Sequence, residues 1–187
     1  TGDGLERIFR NLGVQKIVTG GQTMNPSIEE LAKAVANLAS PEVIILPNNS
    51  NIVATASHVQ ELTSKPVRVV PTNSIPEGLA AMLNFSDDRS IDENVARMSE
   101  KAKTVITGEI TYAVRSTKLG VLEIKEGDII GLIDGEIVTV AATAEQVIEE
   151  ALRQVSSIDG SLITIYYGIE VTALTAQDLL NRLETIF

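Results

Sequence analysis

Cysteine is absent and histidine occurs once, at His58. The first absence excludes disulfides, thiolate nucleophiles, Cys-ligated zinc and iron–sulfur clusters, and the second excludes a multi-histidine metal site within one chain. Aromatic residues make up only 3% of the 187 positions. That is a thin supply of rings for a small-molecule pocket, although Leu, Ile and Val can also line an acyl tunnel. No apolar run approaches the roughly 20 residues that a membrane helix needs, because Glu, Asp, Gly or Pro interrupts each candidate. Positive charge is short as well: 15 Lys+Arg stand against 25 Asp+Glu, a formal net charge of -10. Such a chain repels phosphate backbones and anionic membranes at long range, so neither nucleic acid binding nor membrane insertion is expected. What is present, 44% hydrophobic and 21% charged residues, is the profile of a folded domain. The chain opens Thr1-Gly2-Asp3-Gly4 with no Met and no basic-plus-apolar leader, which reads as a segment from inside a longer cytoplasmic polypeptide.

The fold class read from periodicity is α/β. An amphipathic helix over 3–12 places Leu5, Ile8, Phe9 and Leu12 on one face and is closed by Gly13. A short buried strand over 14–18 follows, then a helix over 27–39 opened by the capping box Ser27/Glu30. Strands over 42–46 and 67–70 alternate with helices over 51–63 and 74–83, the last capped by Ser74 with Glu77. This βαβαβα order predicts a three-stranded parallel layer covered on both faces. After the polar turn 86–89 the pattern changes, so the expected lobes are 1–86 and 87–187. The second begins with a helix capped by Ser90/Glu93 and continues as a mainly antiparallel meander over 107–140, with Asp134-Gly135 as its firmest hairpin signal. A helix from Thr143, a strand over 161–167 and a helix capped by Thr175 complete a mixed α+β lobe.

The loops after the three expected parallel strands carry no charge: residues 19–27, 47–51 and 71–74. In an open α/β sheet they emerge at the carboxyl edge, where helix N-termini aim free N–H groups outward. Gly20, Gly21, Gln22, Thr23, Asn25, Ser27, Asn48, Asn49 and Thr72 are therefore the candidate anion- or partner-binding residues. Gly, Asn, Ser and Pro are equally the ordinary residues of turns and caps. Gly20-Gly21 lacks the Lys of a phosphate loop and the further glycines of a dinucleotide fingerprint. His58 reads as a solvated helical residue and Asp87-Asp88 as a solvated turn. Residues 111–117 read as one strand with Thr111, Ala113 and Arg115 on one face, and Arg115 is a candidate partner for a carboxylate or phosphate. No Ser–His–Asp, Cys–His or two-carboxylate constellation emerges, so no catalytic residue and no metal ligand is assigned.

At Gly20-Gly21-Gln22-Thr23-Met24-Asn25-Pro26-Ser27 the sequence resembles the C-terminal portion of the A subunit of bacterial fatty acid kinase, a dihydroxyacetone-kinase-like (DhaL-domain-containing) family. Val43-Ile44-Ile45-Leu46-Pro47-Asn48-Asn49, Ile75-Pro76-Glu77-Gly78, Thr111-Tyr112-Ala113-Val114-Arg115 and Gly127-Asp128-Ile129-Ile130-Gly131 agree with that family in order. The resemblance implies a DegV-like two-lobed fold and a non-catalytic role: docking the fatty-acid-binding B subunit while a separate kinase domain of the parent, with its ATP and magnesium, phosphorylates the acyl carboxylate. It implies no cofactor in this segment and allows a homodimer of the parent. The family continues into a second Gly-Gly-Gln stretch and a final strand, so the last sheet is expected to lack a strand. The competing expectation is a small-molecule binding domain that itself holds a fatty acid or a phosphorylated ligand.

Overall fold

The computed structural model describes residues 2–19, 25–155 and 162–187. The chain divides into two compact units, Thr1–Val105 and Ile106–Phe187. The α/β expectation holds, with a parallel sheet in the first unit and antiparallel sheets in the second.

In the first unit, α1 (Asp3–Asn11) carries Asp3 and Glu6 in its first turn and Arg10 in its last, each complementing the helix dipole, and it buries Phe9. Gly13, at φ +93°, turns the chain out of the helix. The expected strand over 14–18 does not form: Val14 N–H donates to the Phe9 carbonyl at 3.0 Å, and the run has no ladder partner among the described residues. Its physical weakness is polar Gln15 and Lys16, which stay exposed and leave only Val18 packed against the core. The parallel sheet described is therefore two-stranded, β1 (Val43–Ile45) beside β2 (Val67–Val69), paired Val43↔Val67 through Ile45↔Val69.

Both faces of that pair are covered, as continuous apolar strands require. Val43, Ile45, Val67 and Val69 meet Leu31, Val35, Ile52 and Ala56 from α2 (Ile28–Ala36) and α3 (Ser50–Ser57). Ile44, Leu46 and Val70 meet Ala81, Met98 and Ala102 from α4 (Ile75–Met82) and α5 (Ile91–Ala102). Lys65 closes the C-terminal end of α2, donating from Nζ to the carbonyls of Val35 (3.3 Å), Ala36 (3.4 Å) and Leu38. The helix expected over 51–63 is interrupted. Ser57 Oγ donates to the Val53 carbonyl at 2.9 Å, and after His58 the chain tightens into a 3-10 turn, Val59–Leu62. The turn 86–89 lies inside this unit, held by buried Asn94, which accepts from Ser86 N–H (2.9 Å) and donates to the carbonyls of Ser86 (2.9 Å) and Arg89 (3.3 Å).

The second unit is a three-stranded antiparallel sheet in the order β3 (Gly108–Tyr112), β6 (Ile129–Ile133), β7 (Glu136–Ala141), with a separate hairpin of β4 (Thr117–Leu119) and β5 (Leu122–Ile124). Asp134 (φ +49°) and Gly135 (φ +85°) make the β6–β7 turn with two consecutive positive φ angles, as the sequence signal requires. The strand expected across 111–117 breaks at Ala113, whose N–H donates to the Asp128 carbonyl while its own carbonyl accepts from Gly127, both at 2.8 Å. The chain then bends through 114–115 before β4. Helix α6 (Ala144–Gln154) lies so close to the sheet that a Cβ on Gly131 would stand 2.6 Å from Val147 Cγ1. Ala113, Ile124 and Ile130 form a core with Leu132, Ile137 and Val140. Helix α7 (Ala173–Ile186) is capped by Thr172, whose hydroxyl accepts from Thr175 N–H at 3.1 Å, so Thr175 is the third helical residue and not the cap. The strand expected over 161–167 is likewise not found: residues 162–167 have no ladder partner among the described residues, and Leu162, Tyr166 and Tyr167 are exposed, while Ser161 lies outside the described residues.

Candidate functional site

The carboxyl edge of the parallel pair is built by two short exits. After β1 the chain runs Leu46-Pro47-Asn48-Asn49, with Asn48 at φ +54°, a left-handed conformation that Asn tolerates better than most residues. Asn49 then caps α3, accepting from Asn51 N–H at 2.9 Å. After β2 it runs Val70-Pro71-Thr72-Asn73-Ser74, and Ser74 caps α4 by accepting from Glu77 N–H at 3.3 Å. Thr72 is completely buried. Its hydroxyl donates to Asn48 Oδ1 at 2.8 Å and accepts from Asn48 N–H at 3.0 Å, so the two loops are latched by a reciprocal pair.

Gly78 makes the latch fit. A Cβ there would stand 2.0 Å from Asn48 Oδ1 and 2.7 Å from Asn48 Cγ, so the amide of Asn48 lies directly on the bare backbone of α4. Glu77 adds a second tie, its Oε2 accepting from Asn73 N–H at 2.7 Å. Neither Glu77 nor Gly78 is among the candidates named from sequence. The available signal is Gly78 itself, since a glycine inside a helix costs up to about 1 kcal/mol relative to Ala and points to a close approach by something else.

Asn48, Asn49 and Thr72 are thus brought together, with Asn48 and Thr72 engaged on each other and Asn49 engaged as a cap. Ser27 is the cap of α2, accepting from Glu30 N–H at 3.2 Å while its own N–H donates to Glu30 Oε2 at 2.8 Å. Asn25 is exposed on the approach to that helix. Gly20, Gly21, Gln22 and Thr23 lie outside the described residues. Arg115 belongs to the second unit, exposed in the bend between β3 and β4, and not on a continuous strand. His58 is exposed at the end of α3 with Nδ1 2.9 Å from Glu61 Oε1, and Asp87 and Asp88 are exposed in their turn. Among the described residues no group of three His, Cys, Asp or Glu side chains could hold a metal ion. No described helix is long and apolar enough to cross a membrane.

The first unit also contains a cavity of about 950 Å³ running beside β1, walled by Phe9, Val14, Val18, Leu46 and Met98 and bordered by Asn48 and Asn49 at the carboxyl edge. Its walls are mainly aliphatic, and its polar border is the latch just described.

Two relatives place the chain. It is 34% identical over 186 residues to an uncharacterized protein of Staphylococcus saprophyticus, covering 100% of this chain and 34% of that protein. It is 33% identical over 183 residues to an uncharacterized protein of Staphylococcus aureus, covering 98% of this chain and 33% of that one. The chain therefore spans about a third of the length of the curated relatives it matches. The FakA-like C-terminal family, the C-terminal region of proteins like the A subunit of fatty acid kinase, matches residues 1–187, the whole chain. With its parallel pair, latched carboxyl edge and antiparallel second unit, this chain belongs to the FakA-like C-terminal family of fatty acid kinases.

Proposed function

We propose that this chain is the non-catalytic C-terminal part of the A subunit of a cytoplasmic fatty acid kinase, where it docks the fatty-acid-binding, DegV-like B subunit. The observation that carries the reading is the family match across residues 1–187. The carboxyl edge supports it too: Asn48, Thr72, Asn49 and Ser27 are engaged in latches and caps, which makes a shaped surface and not a set of free reactive groups. ATP and magnesium belong, in this reading, to a kinase domain elsewhere in the parent. Such a kinase must bring an acyl carboxylate held by one protein to a nucleotide held by another. Docking raises the local concentration of the carrier and orients it without taking part in the chemistry. The test is binding of the purified B subunit to the folded chain, measured in low and high salt beside Arg115→Ala. Binding that weakens with salt supports docking; undetectable binding at low salt by the folded chain counts against docking by this region alone.

The cavity beside β1 favours a second reading, in which the first unit itself holds an apolar small molecule such as an acyl chain. Native mass spectrometry of the purified chain separates the two. A retained lipid mass supports the carrier reading, and a bare chain after incubation with fatty acid rejects it.

A further inference from the structure

Strand β3 is the edge of the second unit's main sheet, and all five of its residues are exposed. Its hydrogen-bonding parity follows from its ends. Thr107 O accepts from Asp134 N–H, and Ala113 N–H donates to Asp128 O, so the odd-numbered residues face β6. By alternation Gly108, Ile110 and Tyr112 direct their N–H and C=O groups away from the sheet, where no described residue meets them. The opposite edge is treated differently, since Gln154 Nε2 donates to the β7 carbonyl of Val138 at 3.0 Å. Nor does β3 carry the usual guards: it has no Lys, no Pro and no bulge, and the one register shift lies between β6 and β7.

We infer that β3 is a dimerisation strand which pairs antiparallel with β3 of a second copy of this chain, Ile110 opposite Ile110, to make one continuous six-stranded sheet. Charge and parity select both the occupant and the register. With Ile110 on the two-fold axis, all five residues pair, and the outward groups of 108, 110 and 112 exchange bonds with 112, 110 and 108 of the other copy. Glu109, the only charge in the strand, then faces Thr111. Moving the axis to residue 109 would set Glu109 against Glu109, and moving it to residue 111 would shorten the overlap. The side chains agree with the chosen register. Ile110 and Tyr112, 38% and 64% exposed, meet Ile110 and Gly108 of the other copy, and an aromatic ring laid over a cross-strand glycine is a recognised way to cover that gap.

The second unit holds five basic against thirteen acidic residues, a net charge of -8. Long-range repulsion therefore opposes this dimer, and added salt strengthens it, opposite in sign to docking a basic carrier. Sedimentation velocity of the 187-residue chain from micromolar to near-millimolar concentration reads the equilibrium, with circular dichroism as the fold control. Ile110→Pro removes only an outward-facing N–H group, and Thr111→Glu sets two pairs of like charges across the interface. Each should weaken the dimer by about tenfold or more, and Glu109→Lys added to Thr111→Glu should restore it. A wild type that stays monomeric throughout overturns the dimer and leaves the edge to another occupant, such as a segment of a longer parent. A dimer unaffected by both single variants, or one not restored by the charge swap, overturns this pairing.

Discussion

Gly78 and Asn48 are 30 positions apart and act as one device. An alanine at 78 would push the Asn48 amide aside, and that amide is what satisfies the hydroxyl of fully buried Thr72. Leaving a buried hydroxyl without a partner costs about 1–3 kcal/mol, which outweighs the gain of up to about 1 kcal/mol from replacing glycine inside a helix. Gly78→Ala should therefore lower the denaturant midpoint. In an Asn48→Gly background, where φ +54° suits glycine and no side chain obstructs, the same change should be neutral or stabilising. A double-mutant cycle with no coupling between the two positions would refute the latch. This contact was not legible in the sequence, because its cause is tertiary; only the oddity of a helical glycine hinted at it.

At the scale of elements, helix starts were the most legible feature because their chemistry is local. Ser27/Glu30 and Ser90/Glu93 form the reciprocal boxes expected of them, and Asp134-Gly135 forms the hairpin. Strands were less legible, because apolar alternation identifies a segment that could pair but not whether a neighbour is present. Residues 14–18 and 162–167 have the pattern without a ladder, and the strand through Arg115 is cut short by the closure of Ala113 on Gly127 and Asp128. The caps carry a pH consequence. The Ser90 hydroxyl and then the Ser90 backbone N–H hold the Glu93 carboxyl below its ordinary value, with Arg89 adding a smaller attraction. A lowered folded value means that the box stabilises α5 fully above the ordinary carboxylate value and loses that contribution as pH falls through the lowered one. Acid titration followed by NMR should show the first turn of α5 fraying in that window, and Glu93→Gln should flatten the response.

For the whole molecule, charge is unevenly divided. Ten basic against twelve acidic residues leave the first unit at -2, while the second stands at -8. If association with a basic carrier is steered by this field, reversing acidic residues of α6 and α7 should slow the on-rate more than reversing the same number in the first unit, with the difference fading at high salt. Equal effects from both units would remove steering from the docking proposal. The candidate site was legible as a place, the uncharged loops at a sheet's carboxyl edge, but not as an arrangement. Nothing in the local sequence of Asn48 or Thr72 says that each is the other's partner.

Lys65 leads to a different kind of expectation. The other lysines are exposed, whereas Lys65 is half-buried with its ammonium turned onto three carbonyls at the end of α2. An amine attacks an acylating reagent through a free lone pair, and an ammonium whose three hydrogens are all engaged has none to offer until it leaves its place. Mapped by mass spectrometry after brief treatment with an activated ester or an acyl phosphate, Lys65 should be the last lysine modified, and its labelling should report the opening of α2.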